Sequence, residues 1–306
     1  MGTFHSVFAR ILHVESDKIG FPSDFTIYDE ADSRSLLKSI IKEMDMNEKV
    51  YKPAAVHARI SMAKNHLISV DSYESDSDII NQDKRAKMPE IAKIYREYVQ
   101  RCRLANAMDF DDLLVYTYRL FIERKDVLEK YGNLFKYIMV DEYQDTNYVQ
   151  KKILSLLYNA MQEKAICAVG DDSQSIYSFR GADIDNILSF TKDFPSQDGK
   201  EAKLFKLEQN YRSTQTIVEA ANSLIHHNRN QIQKEVFSKN DKGEKILYKP
   251  AYSDKEEALI VAKNIQRIKR QDDCGYDQFA ILYRTNAQSR SFEEEFRKQG
   301  IPYRIY

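Results

Sequence analysis

The sequence predicts an α/β fold, in which parallel strands are flanked by helices and one long helical stretch is inserted. The apolar runs 137–140 and 166–169 each end abruptly in acidic and polar residues. This pattern is typical of strands buried on both faces that deliver side chains to the carboxyl edge of a parallel sheet. Between residues 20 and 105 the pattern changes to helices with dispersed charge and without strand-end motifs.

Composition limits both the size and the partners of the chain. Its 306 residues are enough for two or three domains with sizeable cores. Charged residues make up 30% and the net charge is −1, so contacts with nucleic acid would have to come from local patches. The 3 cysteines lack metal spacing, and no run resembles a signal peptide or a membrane span. We therefore expect a cytoplasmic protein without a membrane partner.

The first half of the chain is predicted to be mainly helical. An amphipathic helix over residues 1–15 begins near Thr3 or Ser6. The Ser- and Asp-rich stretch 69–78 is predicted as an exposed loop. The helical stretch is predicted to contain helices over residues 31–46, 53–65 and 87–106.

Two clusters of charge in this half have competing interpretations. The third helix and its lead-in interleave basic residues with Tyr95 and Tyr98, which favours either a phosphate-binding face or a solvated face balanced by Glu90 and Glu97. The three carboxylates of 109–112 suggest a metal site, but Asp109 and Asp112 have the spacing of a helix cap, which is the preferred interpretation.

The second half is predicted to continue the α/β pattern. Thr146 or Asn147 opens a helix, and Ser253 with Glu256 forms a capping box for a helix that reaches about residue 271. Another helix is predicted over 213–228, and strands over 246–249 and 279–283.

The acidic pair after the first strand has the chemistry of a metal-bound nucleotide site. Asp141 is suited to hold Mg²⁺, directly or through water, because Mg²⁺ takes only one or two protein carboxylates. Glu142 is placed to polarise an attacking water. Further along, Arg212 precedes a helix capped by Ser213 or Thr214, where a phosphate would meet both a guanidinium and a helix N-terminus. The alternative is a strand whose charges are simply solvated.

Five short motifs follow one another along the chain. They are Gly-Thr-Phe-His-Ser (2–6), Asp-Glu-Tyr-Gln-Asp-Thr-Asn (141–147), Gly-Asp-Asp-Ser-Gln-Ser-Ile-Tyr-Ser-Phe-Arg-Gly-Ala (170–182), Asn-Tyr-Arg-Ser (210–213) and Leu-Tyr-Arg-Thr-Asn-Ala-Gln-Ser-Arg (282–290). In this order they resemble the motifs of the UvrD/Rep-type superfamily 1 DNA helicases, and the resemblance spans nearly the whole chain.

The resemblance implies a RecA-like P-loop NTPase helicase core with an inserted all-helical subdomain. It implies a first RecA-like domain over 1–19 and 106–202, a helical insert over 20–105, and a second RecA-like domain over 203–306.

The same resemblance implies roles at an ATP site. Asp141 serves Mg²⁺ and Glu142 is the general base. Gln174 contacts the γ-phosphate, and Arg212 stabilises charge during phosphoryl transfer. Tyr211 stacks on the adenine.

DNA contacts are implied for residues of three of the five motifs, 2–6, 170–182 and 282–290, of which 170–182 also contains Gln174. Phe179 stands where relatives often have a tryptophan that stacks on a base, and Arg180 is expected to couple the DNA and ATP sites through Glu142. A purely structural role remains open for His5, as does a surface loop for the strand end at 284–286. The implied DNA-binding residues are Thr3, His5, Ser6, Tyr177, Phe179, Arg180, Arg284 and Asn286.

The phosphate loop expected of this family is missing from the sequence. Such proteins need Gly-x-x-x-x-Gly-Lys-Ser/Thr, whose backbone amides and lysine cradle phosphates. The chain has no such run, and Gly199-Lys200 is followed by Glu201. Because the family carries this loop upstream of Gly-Thr-Phe-His-Ser, we expect a fragment that lacks its front and also the last helicase motifs, and that hydrolyses ATP poorly by itself.

The function implied for the intact protein is ATP-dependent translocation on single-stranded DNA and unwinding at single-strand/duplex junctions, with the 3′ to 5′ polarity usual in the family. One alternative is a non-catalytic DNA-binding or interaction module derived from a helicase. Another is a hydrolase or nuclease that uses Asp141 and Asp171, but it leaves the aromatic and arginine motifs unexplained.

Overall fold

The chain forms two compact units in a computed structural model that describes residues 1–305 apart from the Arg180 side chain. The first unit comprises residues 1–208 and 222–236, and the second comprises 209–221 and 237 onward. Each unit has its own hydrophobic core.

Short parallel sheets and many helices make up the regular structure of residues 1–305. The strands pair two by two, as β1 (Thr26–Tyr28) with β2 (Ala107–Asp109), β3 (Ile138–Val140) with β4 (Ile166–Ala168), and β5 (Gln209–Asn210) with β6 (Phe237–Ser238). The helices are α1 (Phe4–Glu15), α2 (Glu30–Glu43), α3 (Pro53–Asn65), α4 (Val70–Ser75), α5 (Ser77–Arg85), α6 (Ile91–Leu104), α7 (Phe110–Glu123), α8 (Lys125–Leu134), α9 (Tyr148–Ala160), α10 (Asp185–Asp193), α11 (Gln215–Ile225), α12 (Asp254–Asp272) and α13 (Ser289–Gln299).

Helix starts follow the capping residues that the sequence indicated. Thr3 caps α1, Asn147 caps α9 and Ser253 caps α12, each through a side-chain oxygen that accepts a backbone amide. Asp109 and Asp112 form a reciprocal capping box at the start of α7, so the capping interpretation of this acidic cluster is confirmed.

The prediction of a loop over 69–78 is wrong, because helices α4 and α5 occupy this stretch. Ser69 accepts a hydrogen bond from the amide of Ser72, and Asp76 accepts from two amides at the start of α5. Tyr73 of α4 is buried against the core of the helical stretch. Ser and Asp therefore act here as helix caps, a role for which they are as well suited as for loops.

The two strands that end in acidic residues pair in parallel, with Val140 opposite Ala168. The prediction that they are buried on both faces is wrong: Met139 is 81% exposed, and Cys167 is exposed as well. Within residues 1–305, β3 and β4 pair with each other alone. Residues of α9 and α10 pack on the face that carries Val140, and this face is the buried one.

The two strand predictions that fall in the second unit are also wrong. Residues 246–249 and 279–283 are not strands, and their Tyr248 and Leu282 side chains are exposed. The parallel pairing in this unit lies instead between β5 and β6. An apolar run becomes a strand only where a neighbour completes its hydrogen-bond ladder, and the sequence does not show where that neighbour lies.

A buried ion cluster joins the helical stretch to α7. Lys64, at the end of α3, is 3% exposed, and its Nζ lies 2.6 Å from Asp109 and 2.7 Å from Asp112. Burial would lower the pKa of Lys64, but the two carboxylates raise it well above its ordinary value. Lys64 holds the pKa of Asp109 below its ordinary value against the effect of burial, whereas burial and the charge of Asp109 raise the pKa of Asp112 to about 7. Lys64 and Asp109 therefore form the principal ion pair.

Lys64→Met tests this cluster. We expect the free energy of unfolding to fall by about 3–5 kcal/mol, because the substitution leaves a buried carboxylate without its partner. Urea denaturation followed by circular dichroism measures the change. The control is Lys93→Met, which removes a lysine that pairs with Glu90 at the surface and should cost far less than Lys64→Met, because solvent screens an exposed ion pair. Equal losses in the two variants would contradict a stabilising role for the cluster.

Candidate active site

The polar ends of β3 and β4 lie side by side at one edge of their sheet. The ladder continues beyond the strands, because the Val169 amide donates to the Val140 carbonyl at 2.8 Å and the Tyr143 amide donates to the Val169 carbonyl at 2.9 Å. The acidic residues that follow, beginning with Asp141 and Asp171, are therefore neighbours. The sequence prediction that two strands feed one edge is confirmed.

Asp141 and Glu142 are both exposed at this edge. The backbone amide of Glu142 donates to Asp141 Oδ1 at 3.0 Å. Glu142 has φ 50° and ψ 44°, the left-handed conformation that costs a residue with a Cβ about 1–2 kcal/mol. Six other non-glycine residues of the described chain also have positive φ, so the conformation is not by itself a sign of function.

Gln144 bridges the two strand ends, a role that was not predicted from the sequence. Its side chain is 1% exposed. Nε2 donates to Glu142 Oε2 at 2.7 Å, and Oε1 accepts from the backbone amide of Asp171 at 3.0 Å. Two features of the sequence could have indicated this role. A glutamine side chain can donate a hydrogen bond to one neighbour and accept one from another, and Gln144 lies within the acidic motif 141–147.

Asp171 is the second centre of this hydrogen-bond network. Gln174 Nε2 donates to Asp171 Oδ2 at 2.8 Å. Lys234 Nζ forms an ion pair with Asp171 and lies 2.6 Å from Asp172 Oδ1. Burial would raise the pKa of Asp171, but hydrogen bonds from Lys234 and Gln174 outweigh it and hold that pKa below its ordinary value. Lys234 was also missed, because no local pattern links it to a motif so far along the chain.

Gly170 allows the close approach of these segments. A Cβ at this position would lie 2.5 Å from Gln144 Oε1, 2.9 Å from Ile187 Cδ1 and 3.1 Å from the Tyr143 amide nitrogen. These distances are too short for a side chain, so the bridge through Gln144 depends on a glycine here.

The residues expected to bind DNA near the N-terminus have structural contacts. Ser6 Oγ donates to the Thr3 carbonyl at 2.9 Å, and the Ser6 amide donates to Thr3 Oγ1 at 3.2 Å. The His5 ring packs edge-on against Phe110 at 5.8 Å, and burial lowers the pKa of His5 despite the charge of Asp111. DNA contact by these residues stays a prediction.

Two aromatic residues within the motif 170–182 form a pair in the first unit. The rings of Tyr177 and Phe179 lie 6.0 Å apart, and Phe179 is 65% exposed. The side chain of Arg180 lies outside the described part of the structure, so its expected coupling to Glu142 stays a prediction.

Tyr211 and Arg212 lie on a turn of the second unit, just before α11, and both are exposed. Asn210 Oδ1 accepts from the amides of Arg212 and Ser213 at 2.9 and 2.8 Å. Asn240 Nδ2 donates to the Tyr211 carbonyl at 3.1 Å. These side-chain bonds hold the turn and place Arg212 close to a helix start, as the sequence predicted.

Arg284 and Asn286 are exposed residues of the same unit. They lie at the entrance to a 3₁₀ turn, where Thr285 forms a capping box with Gln288. Because no strand precedes them, they lie on a surface turn, which is the alternative that the sequence left open, and their contact with DNA stays a prediction.

Among residues 1–305 there is no group of three or more His, Cys, Asp or Glu side chains that could hold a metal ion. An exposed carboxylate at a strand end nevertheless fits Mg²⁺, which keeps most of its waters and shares a bound nucleotide's phosphates. Asp141 is therefore a suitable ligand by itself. Every helix in the described chain is too short or too polar to cross a membrane.

Comparison with known proteins identifies the family. The family model described as the UvrD/REP helicase N-terminal domain matches residues 1–195. The chain belongs to the UvrD/Rep helicase family. A second model, described as the UvrD-like helicase C-terminal domain, matches residues 205–306. Membership of the UvrD/Rep family gives the chain a RecA-like α/β fold, to which its small parallel sheets correspond.

Curated members of the UvrD/Rep family that resemble this chain are named ATP-dependent DNA helicase PcrA. The Staphylococcus aureus protein is 43% identical over 304 residues, which cover 99% of this chain and 40% of the relative. The Leuconostoc citreum protein is 40% identical over 303 residues, which cover 99% of this chain and 39% of the relative. The chain thus spans about two fifths of the length of these relatives.

Glu142→Gly tests the strain at the acidic pair. Glycine adopts the left-handed conformation without a Cβ penalty, so we expect this variant to unfold with a free energy about 1 kcal/mol higher than that of Glu142→Ala. The alanine variant is a matched control, because it loses the same hydrogen bond from Gln144 but keeps a Cβ. Chemical denaturation of both variants gives the difference. Equal stabilities would contradict a strain larger than the unfolded-state effect that favours alanine over glycine, about 0.4–1 kcal/mol.

Proposed function

We propose that this chain is part of an ATP-dependent DNA helicase that translocates 3′ to 5′ on single-stranded DNA and unwinds duplex at single-strand/duplex junctions. The observation that carries the proposal is the shared sheet edge, where Glu142 and Asp171 are joined through Gln144. Relatives named ATP-dependent DNA helicases, which match 99% of the chain, support the same function.

Five side chains have proposed roles in ATP hydrolysis. Bound Mg²⁺-ATP would supply the phosphoryl group and the cation that offsets its charge. Asp141 would hold the Mg²⁺, and Glu142 would take a proton from the attacking water. Gln174 contacts the γ-phosphate, Arg212 stabilises the charge that develops during transfer, and Tyr211 stacks on the adenine. The exposed positions of Asp141 and Glu142 at a strand end support this assignment.

The proposed DNA path uses stacking and polar contacts. The exposed Phe179 ring supports stacking on a base, since every base offers a π-face. The other proposed contacts are Thr3, His5, Ser6, Tyr177, Arg180, Arg284 and Asn286.

We also propose the division into a first RecA-like domain (1–19 and 106–202), a helical insert (20–105) and a second RecA-like domain (203–306). Two observations support the insert. The helices between β1 and β2 have their own hydrophobic cluster, which includes Leu37, Ile60 and Tyr98. The chain enters and leaves this stretch through β1 and β2, which pair with each other.

A non-catalytic DNA-binding or interaction module derived from a helicase is the second candidate. The exposed Asp141 and Glu142 at the shared sheet edge weigh against it, because a module that hydrolyses no ATP has no need for a general base there.

A chimera tests the function. In it, this chain replaces the matching 304 residues of the Staphylococcus aureus relative. We expect ATP turnover that single-stranded DNA stimulates and that Glu142→Gln lowers by about 10²–10⁴-fold, the contribution of a general base. The isolated chain should turn over no more ATP than its own Glu142→Gln variant, because it lacks the loop that cradles phosphates.

The unaltered Staphylococcus aureus relative is the positive control, and thermal unfolding verifies that each chimera is folded. A folded chimera whose turnover does not depend on Glu142 would refute the proposed hydrolysis site. DNA-stimulated turnover by the isolated chain, abolished by Glu142→Gln, would show that other residues hold the phosphates.

A further inference from the structure

We infer that Gln144 is a positioning residue that holds the base Glu142 and the phosphate contact Gln174 in one fixed arrangement. The inference rests on the proposed function and adds to it a residue that touches neither ATP nor water. Gln144 acts on Gln174 through Asp171.

The side-chain amide of Gln144 has a single orientation. The Glu142 carboxylate can only accept a hydrogen bond and the Asp171 backbone amide can only donate one. Nε2 must therefore face Glu142 and Oε1 must face Asp171, at the 2.7 and 3.0 Å that the structure shows. Exchanging the two ends of the amide would lose both bonds.

Burial makes Gln144 a rigid support. Its side chain is 1% exposed, and the Gly170 backbone passes so close that a Cβ there would collide with Oε1. A side chain in such a site has lost its rotamer freedom. Glu142 and Gln174, by contrast, are exposed residues whose side chains would rotate freely without an anchor.

Asp171 connects Gln144 to Gln174, and Lys234 holds the Asp171 carboxylate in place. Asp171 accepts from Gln174 through Oδ2, and its Oδ1 is engaged by the Lys234 ammonium. A carboxylate held in this way presents Oδ2 to Gln174 in one direction. The path from Glu142 through Gln144 and Asp171 to Gln174 is therefore continuous, and it fixes the side chain proposed to activate water relative to the one proposed to contact the γ-phosphate.

Orientation of this kind acts on catalysis more than on binding. Misplacing a reacting group by about 1 Å can cost about 10²-fold in rate. Loss of the Gln144 bonds should therefore lower kcat, while the affinity for ATP changes little, because Gln174 is only one of several proposed contacts with ATP.

Gln144→Met is the test variant, because methionine has similar length and suits a buried site but cannot form either bond. The control is Tyr143→Phe, which changes the adjacent and equally buried residue. Among the described residues, the Tyr143 hydroxyl has no hydrogen-bond partner, so its removal should leave activity unchanged.

The first measurement is steady-state ATP turnover in the chimera with the Staphylococcus aureus relative. We expect Gln144→Met to lower kcat by about 10–100-fold with KM for ATP within about twofold of the parent chimera, as for loss of a supporting contact. A kcat within about twofold of the parent, or an equal loss in Tyr143→Phe, would overturn the inference.

The second measurement is hydrogen–deuterium exchange at the Asp171 amide in the 306-residue chain. Gln144→Met should speed exchange there by at least about tenfold, because it removes the acceptor, and Tyr143→Phe should not. Unchanged exchange would show that the contact is absent. This result stands whether or not the chimera hydrolyses ATP. A chimera without Glu142-dependent turnover would instead refute the proposed function and, with it, the catalytic purpose of the contact.

Discussion

The hydrogen bond from the Val169 amide to the Val140 carbonyl carries the parallel ladder of β3 and β4 past the last residues of both strands. In a strand pair, a slip of one residue turns every side chain to the opposite face. The observed register therefore decides which side chains of the two acidic motifs meet. It brings Asp171 within reach of Gln144, and it favours a glycine at position 170 because Gln144 Oε1 and Ile187 Cδ1 lie where a Cβ would be crowded.

Residues of the helical stretch also hold Asn147, the last residue of the first acidic motif (141–147), through hydrogen bonds. Asn147 Nδ2 donates to Asn65 Oδ1 at 2.6 Å, and Asn65 Nδ2 donates to Asp111 Oδ1 at 3.0 Å. Next to this chain of bonds, Lys64 pairs with Asp109. Buried polar groups are costly unless they are paired, and these residues satisfy one another. The motif that carries the proposed base is thus held at one end by its sheet and at the other by α3.

Local features of the fold were predictable, whereas contacts between distant residues were not. The caps at Asn147 and Ser253 and the polar strand ends follow from residues within a few positions of each other. Lys64 and Lys234 pair with carboxylates that only the folded chain brings close to them. The spacing of these residues in the sequence does not predict the pairs. The strand predicted over 279–283 was wrong for a related reason, since an apolar run does not reveal whether a second strand lies beside it.

In the proposed mechanism the two strand ends act as a single hydrolysis site. A double-mutant cycle on ATP turnover of the chimera, with Glu142→Gln and Gln174→Ala alone and combined, measures how strongly they depend on each other. If the residues act as a unit, the double variant should lie within about tenfold of Glu142→Gln alone. If the two losses multiply as they would for independent sites, the strand ends do not work together and the proposed mechanism is wrong.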